Sequence, residues 1–423
     1  MLSTLRNAWK VPELRKRFLW TIFLVAIFRI GIHIPVPGID TSYLSSMTNS
    51  GGLLGFYNLI SGGALSKFSI FALSVSPYIN ASIIVQLLTI AIPSLEQLSK
   101  EGEEGRNKIQ SITRYASIAI GFVLAIGIYS MIAAQGAATG LSSAQKVVVL
   151  IALVVGSTFC MWLGDQITQK GFGNGVSILI FVNIVSQLPT TLMSLFTLKE
   201  AGEISIIEIL LFLVGVIALL AVTIFFSLAE RRVPIQYAGK AVGSKVMKGQ
   251  STHIPLSIIG SAVIAIIFAM SVMMFPTTIA AFFPSKGWAS WITSSKYSIF
   301  NTGTWMYPVC YAVLTVFFTW FYTQITFKPD EMAENLHKSA GFVPGIRPGE
   351  ATEKYFENLL TKVSIIGGLF AAFLAVTPIL VGKYISGVQF GGTSLLILIG
   401  VALDFSRQLD SQLVMRHYDG FLK

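Results

Sequence analysis

Arg29, Glu208 and Asp404 are ionisable side chains set in or beside long apolar runs, so the first question is what chemistry they could do there. A solute transporter couples cargo to ions through charged groups held near the middle of its spans. None of these three is central: Arg29 stands near the end of one run, Glu208 at the start of another and Asp404 at the close of the last. An intramembrane enzyme would show HExxH, a GxGD aspartate pair, or a serine with a histidine inside the spans. The sequence has none of these, and His253, His337 and His417 lie in polar segments. Cys160 and Cys310 fall inside apolar runs, where they read as small packing residues, not as a disulfide framework or a metal site. The run GFGNG at 171–175 is no phosphate loop, since no strand precedes it and no GK[ST] follows. The residues therefore point to no catalytic group, no cofactor and no metal, and the chain is not expected to be an enzyme.

The stretch at 56–92, FYNLISGGALSKFSIFALSVSPYINASIIVQLLTIAI, suggests a different role. Gly62 and Gly63 free the backbone enough to end a helix, and Pro77 removes a donor and disfavours helical geometry at Ser76. The pattern predicts a short half-helix, a glycine break and a long apolar helix over 70–92. The first piece is too short and too polar to span, and such a piece is tolerated at membrane depth only when buried in protein or lining a cavity. A cavity inside a membrane bundle, with a segment of the chain sitting in it, is the implied arrangement.

The surrounding chain fits that setting. Of 423 residues 53% are apolar and 12% charged, with a mean hydropathy of +0.71, which excludes an ordinary soluble domain. Apolar windows predict ten spans, at 18–34, 70–92, 115–135, 145–165, 175–189, 204–229, 254–283, 304–327, 362–385 and 393–406. The fifth and tenth are short and should borrow residues from their flanks. The first span follows a basic tail with no A-x-A-like exit, so it is expected to stay in the membrane. Arg29 in it either snorkels or pairs with a neighbouring helix, and His33 reads as an interfacial structural residue. Most of the 30 Lys and Arg residues fall in the segments that share a side with the N-terminus, so both termini should be cytoplasmic. Topology accounts for the net charge of +10, but not for two long polar segments on that side, at 230–253 and 328–361.

Several runs resemble one family. SGGALSKFSIFALSVSPYINASIIVQLL, IPVPGID, EGEEGRNKIQ, GFGNG, ERRVPIQYA, STHIPL, the FVPGIRPGE run and FGGTSLL together are similar to the SecY family of protein-conducting channels over nearly the whole chain. The resemblance implies an all-α polytopic membrane protein with ten transmembrane helices in two pseudo-symmetric inverted halves of five, at 1–195 and 196–423, around a central pore closed by a plug half-helix. It implies a plug at about 56–66, including Ser61, Gly62, Gly63, Ala64, Leu65 and Ser66. It implies a pore ring of Ile79, Ile83, Val176, Ile180, Ile267 and Ile397, and a lateral gate with Asn80, Leu124, Ser271 and Phe275. Docking of a motor or ribosome would fall to Arg231, Arg232, Lys240, Lys245, Lys248 and Arg347.

Two departures stand out. Leu124 takes the place of the family's usual glutamine, and SIIGSAVIA at 257–265 replaces a KVNxAGVIP run, with Ser257 for its lysine and Ala265 for its proline. Both make the gate region less polar. The implied partners are SecE, SecG, the SecA motor ATPase, the ribosome, signal peptides, unfolded polypeptide substrates and membrane lipid, with no nucleic acid beyond the ribosome. The implied location is the bacterial plasma (inner) membrane. A polytopic secondary transporter of a small solute is the alternative, and it lacks the midplane charges it would need.

Overall fold

In the computed structural model the described residues are 11–39, 61–134, 142–200, 204–237, 251–260, 262–282, 286–301, 303–384 and 392–419, with isolated positions between them. Thirteen helices are named here: α1 Pro12–Gly31, α2 Ser76–Ala91, α3 Pro93–Lys100, α4 Glu103–Ala134, α5 Ser143–Lys170, α6 Gly175–Glu200, α7 Ile206–Leu228, α8 Ala262–Phe282, α9 Gly287–Ser294, α10 Met306–Phe327, α11 Pro329–Lys338, α12 Glu350–Tyr384 and α13 Gly392–Asp419. Among the described residues six helices are long and apolar enough to cross a membrane, and seven if the bent pair α2 and α3 is one span. Of the remaining predicted spans, α1 carries Arg15, Lys16, Arg17 and Arg29, α8 has an apolar stretch of only Ala262–Thr277, and α13 carries Asp404, Arg407 and Asp410. The fifth and tenth spans do extend into their flanks. The helix of the fifth span runs on past 189 to Glu200, with Pro189 inside α6.

The helices form two groups that touch along defined seams. One contains α1, α2, α4, α5 and α6, the other α7, α8, α10, α12 and α13, and the two meet where α4 touches α8, where α6 touches α13 and where side chains of α2 reach α8 and α10. Ile207, Leu211 and Phe225 of α7 are each more than two-thirds exposed, which is how a lipid-facing helix looks in the absence of lipid.

The segment at 230–257 departs from the all-helical expectation. β1 Glu230–Tyr237 pairs antiparallel with β4 Ser251–Ser257 and with β5 Gly341–Phe342, in the order β4-β1-β5. Two short strands, β2 Ala241–Val242 and β3 Lys245–Val246, pair with each other. Alternation explains β1: Val233 and Ile235 are buried while Arg232, Pro234 and Gln236 on the other face are exposed, and Arg231 is exposed at the strand's start. The buried face packs with Leu256, Leu336, Val343, Phe356 and Leu360. The two long polar segments are therefore one module joined by a sheet and a small apolar core of their own.

Candidate functional site

The chain between Ser61 and Val75 folds as a series of tight turns inside the bundle. The predicted helix over 70–92 begins only at Ser76, with Pro77 in its first turn, because proline is tolerated there and opposes helix before it. Phe68 and Ser74 take positive φ, which no helix permits. The turns are tied to the strand-like residues after α1: Val36 N–H donates to the Phe68 carbonyl at 2.9 Å, and Ile70 N–H to the Ile34 carbonyl at 3.0 Å. Ala64, Leu65, Phe68, Phe71 and Val75 are almost wholly buried. Close approach is possible because α1 and α5 present Gly31 and Gly156 to it; a Cβ at Gly31 would enter the Phe71 ring and one at Gly156 would meet the Ile70 carbonyl.

Of the expected plug residues, Ser61 to Ser66 are described, and 56–60 lie outside the described residues except Asn58. Gly62 and Gly63 both have φ in the left-handed region, +69° and +85°, the conformation with which glycine closes a turn or a helix end. The turn is closed from within: Ser66 N–H donates to Asn58 Oδ1 at 2.9 Å and Gly63 N–H to the Asn58 carbonyl at 2.8 Å.

A polar cradle holds this turn, and the sequence only half disclosed it. Arg29 pairs across to another helix: its Nη1 donates to Ser186 Oγ of α6 at 2.9 Å and reaches the Gly62 carbonyl at 3.5 Å. Ser186 in turn donates to the Asn183 carbonyl at 2.7 Å. A Cβ on Gly63 would stand 2.7 Å from Gln187 Nε2. Arg29, Asn183, Ser186 and Gln187 thus surround the two glycines. The signal available beforehand was the spacing of the polar residues Asn183, Ser186 and Gln187 along one helix face. His33 Nδ1 lies 3.0 Å from the Arg29 carbonyl and is exposed, as an interfacial residue should be.

Beside the turn, Ala64 and Phe71 belong to one buried cluster with Ile79 of α2, Val176 and Ile180 of α6, and Ile397 of α13. Ile79 also reaches a second cluster with Ile83 of α2 and Ile267 of α8. The six expected ring residues are therefore linked through Ile79, and they come from four helices. The i,i+4 pairs Ile79 with Ile83 and Val176 with Ile180 share faces as their spacing requires.

The seam between α2 and α8 is bridged by Ser271 Oγ donating to Asn80 Oδ1 at 3.2 Å. The seam between α2 and α10 is bridged by Gln86 Nε2 donating to Tyr322 Oη at 2.6 Å, a contact the sequence did not suggest. Leu124 and Phe275 are not part of either bridge. Leu124 packs in the apolar cluster of Leu65, Phe68 and Ala125, and Phe275 is 67% exposed. Glu208 is spent on helix capping: its carboxylate accepts from Ser205 N–H at 2.8 Å.

On the side of the sheet a cavity of about 600 Å³ opens at the end of these seams, lined among others by Gln86, Thr89, Glu96, Lys100, Lys328 and Glu331. α3 turns 101° away from α2 to form one wall. There Lys100, 2.7 Å from Glu96, holds that carboxyl below the usual carboxylate range by its hydrogen bond and charge. Arg231, Arg232 and Arg347 are exposed on the sheet module. Arg347 sits in a turn bounded by Gly345 and Gly349, both at positive φ, and Thr352 Oγ1 donates to its carbonyl at 2.8 Å. Lys240 and Lys248 lie outside the described residues, and Lys245 is on β3.

A helical membrane bundle, with part of its own chain folded into its apolar interior and a separate module on one face, is the arrangement found in protein-conducting channels. It resembles a solved structure described as that of a protein conducting channel, with a TM-score of 0.66 at 19% identity, covering 97% of each chain. A second, Sec61 in the canine ribosome-channel complex from the endoplasmic reticulum, matches with a TM-score of 0.61 at 18% identity, again over 97% of each. In sequence the SecY family model matches residues 69–406. The protein translocase subunit SecY of Rickettsia typhi is 41% identical over 420 residues, 97% of this chain and 96% of that protein. This chain belongs to the SecY family.

Proposed function

We propose that the chain is the pore-forming subunit of a translocon, passing unfolded secretory polypeptides across the bacterial plasma membrane and releasing transmembrane segments sideways into lipid. The observation that carries this reading is the cluster in which Ala64 and Phe71 of the folded-in segment pack against Ile79, Val176, Ile180 and Ile397. An apolar constriction resists water and ions by dewetting, yet closes around many side chains without binding any. In this reading those residues, with Ile83 and Ile267, form the pore ring, and residues 61–66 form the plug.

The Asn80–Ser271 bridge is the polar fastener of a lateral gate between α2 and α8, to which Leu124 and Phe275 contribute apolar surface. Ten transmembrane helices in two inverted halves, 1–195 and 196–423, complete the fold, with α1, α8 and α13 among the spans. Both termini and the sheet module are cytoplasmic, where Arg231, Arg232 and Arg347 dock the ribosome or the SecA motor. The Sec61 relative in a ribosome complex supports the first of these partners. SecE and SecG accompany the subunit in the membrane. The chain itself is a passive conduit and not an enzyme, and the motor supplies the energy.

The test is cysteine crosslinking of a secretory precursor stalled midway through SecA-driven transport, with probes placed singly at Ile83, Ile180 and Ile267 and with Cys160 and Cys310 replaced. Crosslinks from all three positions to the same short segment of precursor are expected. Reaction from one helix only, or from none, would overturn the ring.

A further inference from the structure

At the end of the bundle opposite the sheet, α8 leads into α9, a helix of 8 residues, GWASWITS. Residues three and four apart share a helix face. Trp288, Trp291 and Ile292 therefore lie on one side, while Ser290 lies opposite them and Ser294 stands between the two faces. Trp288 is 46% and Trp291 54% exposed, whereas Ala289, on a third side, is buried, and α9 packs on α8. The chain that follows adds Tyr297 at 77% and Trp305 at 70% exposed. Lys286 and Lys296 bracket the helix and are both exposed.

These aromatics stand on a built scaffold. Ser298 Oγ donates to the Ile292 carbonyl at 2.7 Å, Thr304 Oγ1 to the Ser298 carbonyl at 3.0 Å, and Gly303 N–H to Asn301 Oδ1 at 3.0 Å. Asn301 Nδ2 also donates to the Ser295 carbonyl at 3.3 Å, so the return from α9 to α10 is cross-braced. The helices on either side continue the apolar surface: Val272 and Phe275 of α8 and Val309 and Val313 of α10 are exposed in the same way as other lipid-facing positions.

We propose that α9 and its two flanks are an interfacial platform that binds anionic phospholipid headgroups of the leaflet on that side. Tryptophan and tyrosine prefer the boundary between headgroup and acyl chain, where the ring is apolar and the polar atom stays wet. The serine face meets water, the aromatic face meets lipid, and the two lysines supply the charge that matches phosphate. A helix with this division lies flat in the boundary and does not cross it. A water-soluble partner would leave the continuous apolar surface of α8 and α10 unexplained, whereas lipid already covers it. Because α9 is joined to α8, which carries Ser271 of the α2–α8 bridge, the platform fixes one end of the helix on which that seam depends.

The test uses the full-length protein in vesicles of phosphatidylcholine with and without phosphatidylglycerol, and reads tryptophan emission. Trp288, Trp291 and Trp305 are three of 7 tryptophans, so a variant with all three changed to Phe isolates their signal. The expected result is an emission component quenched by lipid spin-labelled near the headgroup, not by lipid labelled deep in the chain, and absent from that variant. Phosphatidylglycerol should strengthen this quenching, and Lys286→Gln with Lys296→Gln should remove the response, each lysine contributing about fivefold to local anionic-lipid enrichment. Three results would overturn the proposal. One is quenching by aqueous iodide with none by shallow lipid, which means a water-facing patch. Another is shielding from both, which means a protein covers the face. The third is an unchanged phosphatidylglycerol response in the double lysine variant.

Discussion

Removing the guanidinium of Arg29 should loosen the folded-in segment without unfolding the bundle. The Arg29 side chain joins α1, α6 and the turn at Gly62 through two hydrogen bonds, at 2.9 Å to Ser186 Oγ and 3.5 Å to the Gly62 carbonyl. Only the second touches the segment itself. A hydrogen bond to a charged group contributes about 1.5–3 kcal/mol at ordinary length, and 3.5 Å is at the far edge of that range of geometry. The lower figure, about 1.5 kcal/mol, is therefore the appropriate one, and it corresponds to about a tenfold change in a two-state population. Arg29→Met keeps the length of the side chain and removes the donor. In planar bilayers the purified channel should then show about tenfold more ion-conducting events at rest. Ser186→Ala removes the support of the guanidinium but not the guanidinium, so it should show a smaller increase, about two- to fivefold. Thermal unfolding in detergent separates a loosened segment from a damaged protein. A resting conductance in Arg29→Met equal to that of the unaltered protein, at equal unfolding temperature, would refute the idea that this cation holds the segment in place.

Two further outcomes follow from other parts of the structure. Asp165 of α5 is buried and lies 2.8 Å from Arg114 of α4, with Gln110 Nε2 3.3 Å away. Asp165→Ala leaves a cation whose side chain is 37% exposed, so the cost of a fully buried broken pair is reduced by solvent to about 1–2 kcal/mol; an unfolding midpoint that does not fall would contradict this. Arg347→Glu reverses an exposed charge on a turn whose backbone is fixed by Gly345, Gly349 and Thr352, so stability should stay within about 0.5 kcal/mol while binding to ribosomes or to the motor is lost. Undiminished binding by that variant would remove Arg347 from the docking surface.

What the sequence disclosed depended on whether a residue's neighbours were near it along the chain. Most spans were legible because apolar length alone sets them, and α7 needs little else. The proposed ring came from resemblance, with spacing supporting only the pairs Ile79 with Ile83 and Val176 with Ile180, since nothing local to Ile267 says that it packs near Ile79. The path from Ser61 to Val75 was not legible. Ile70 to Val75 are apolar enough to look like the start of α2, but the segment spends its backbone on Ile34 and Val36, more than thirty residues away, and Phe68 and Ser74 take left-handed φ to do so. Tertiary pairing overrode local pattern there, as it does where a strand partner is distant.

The sheet was missed for a related reason with a different lesson. The alternation in β1 was visible as Val233 and Ile235 between exposed residues, but the density of Lys and Arg in 230–253 drew attention to charge and so to a loop. Arg232 lies on the outer face of a strand whose inner face packs with Phe356 and Leu360 of α12, and Arg231 is exposed at the start of that strand. These two arginines are thus held on a paired strand, and the partner of β1 at Gly341–Phe342 ties them to the turn of Arg347. Two segments a hundred residues apart in sequence are one surface in the fold. Their contributions to docking should therefore be coupled and not additive, because a change that breaks the β1–β5 pairing displaces both sets of arginines together.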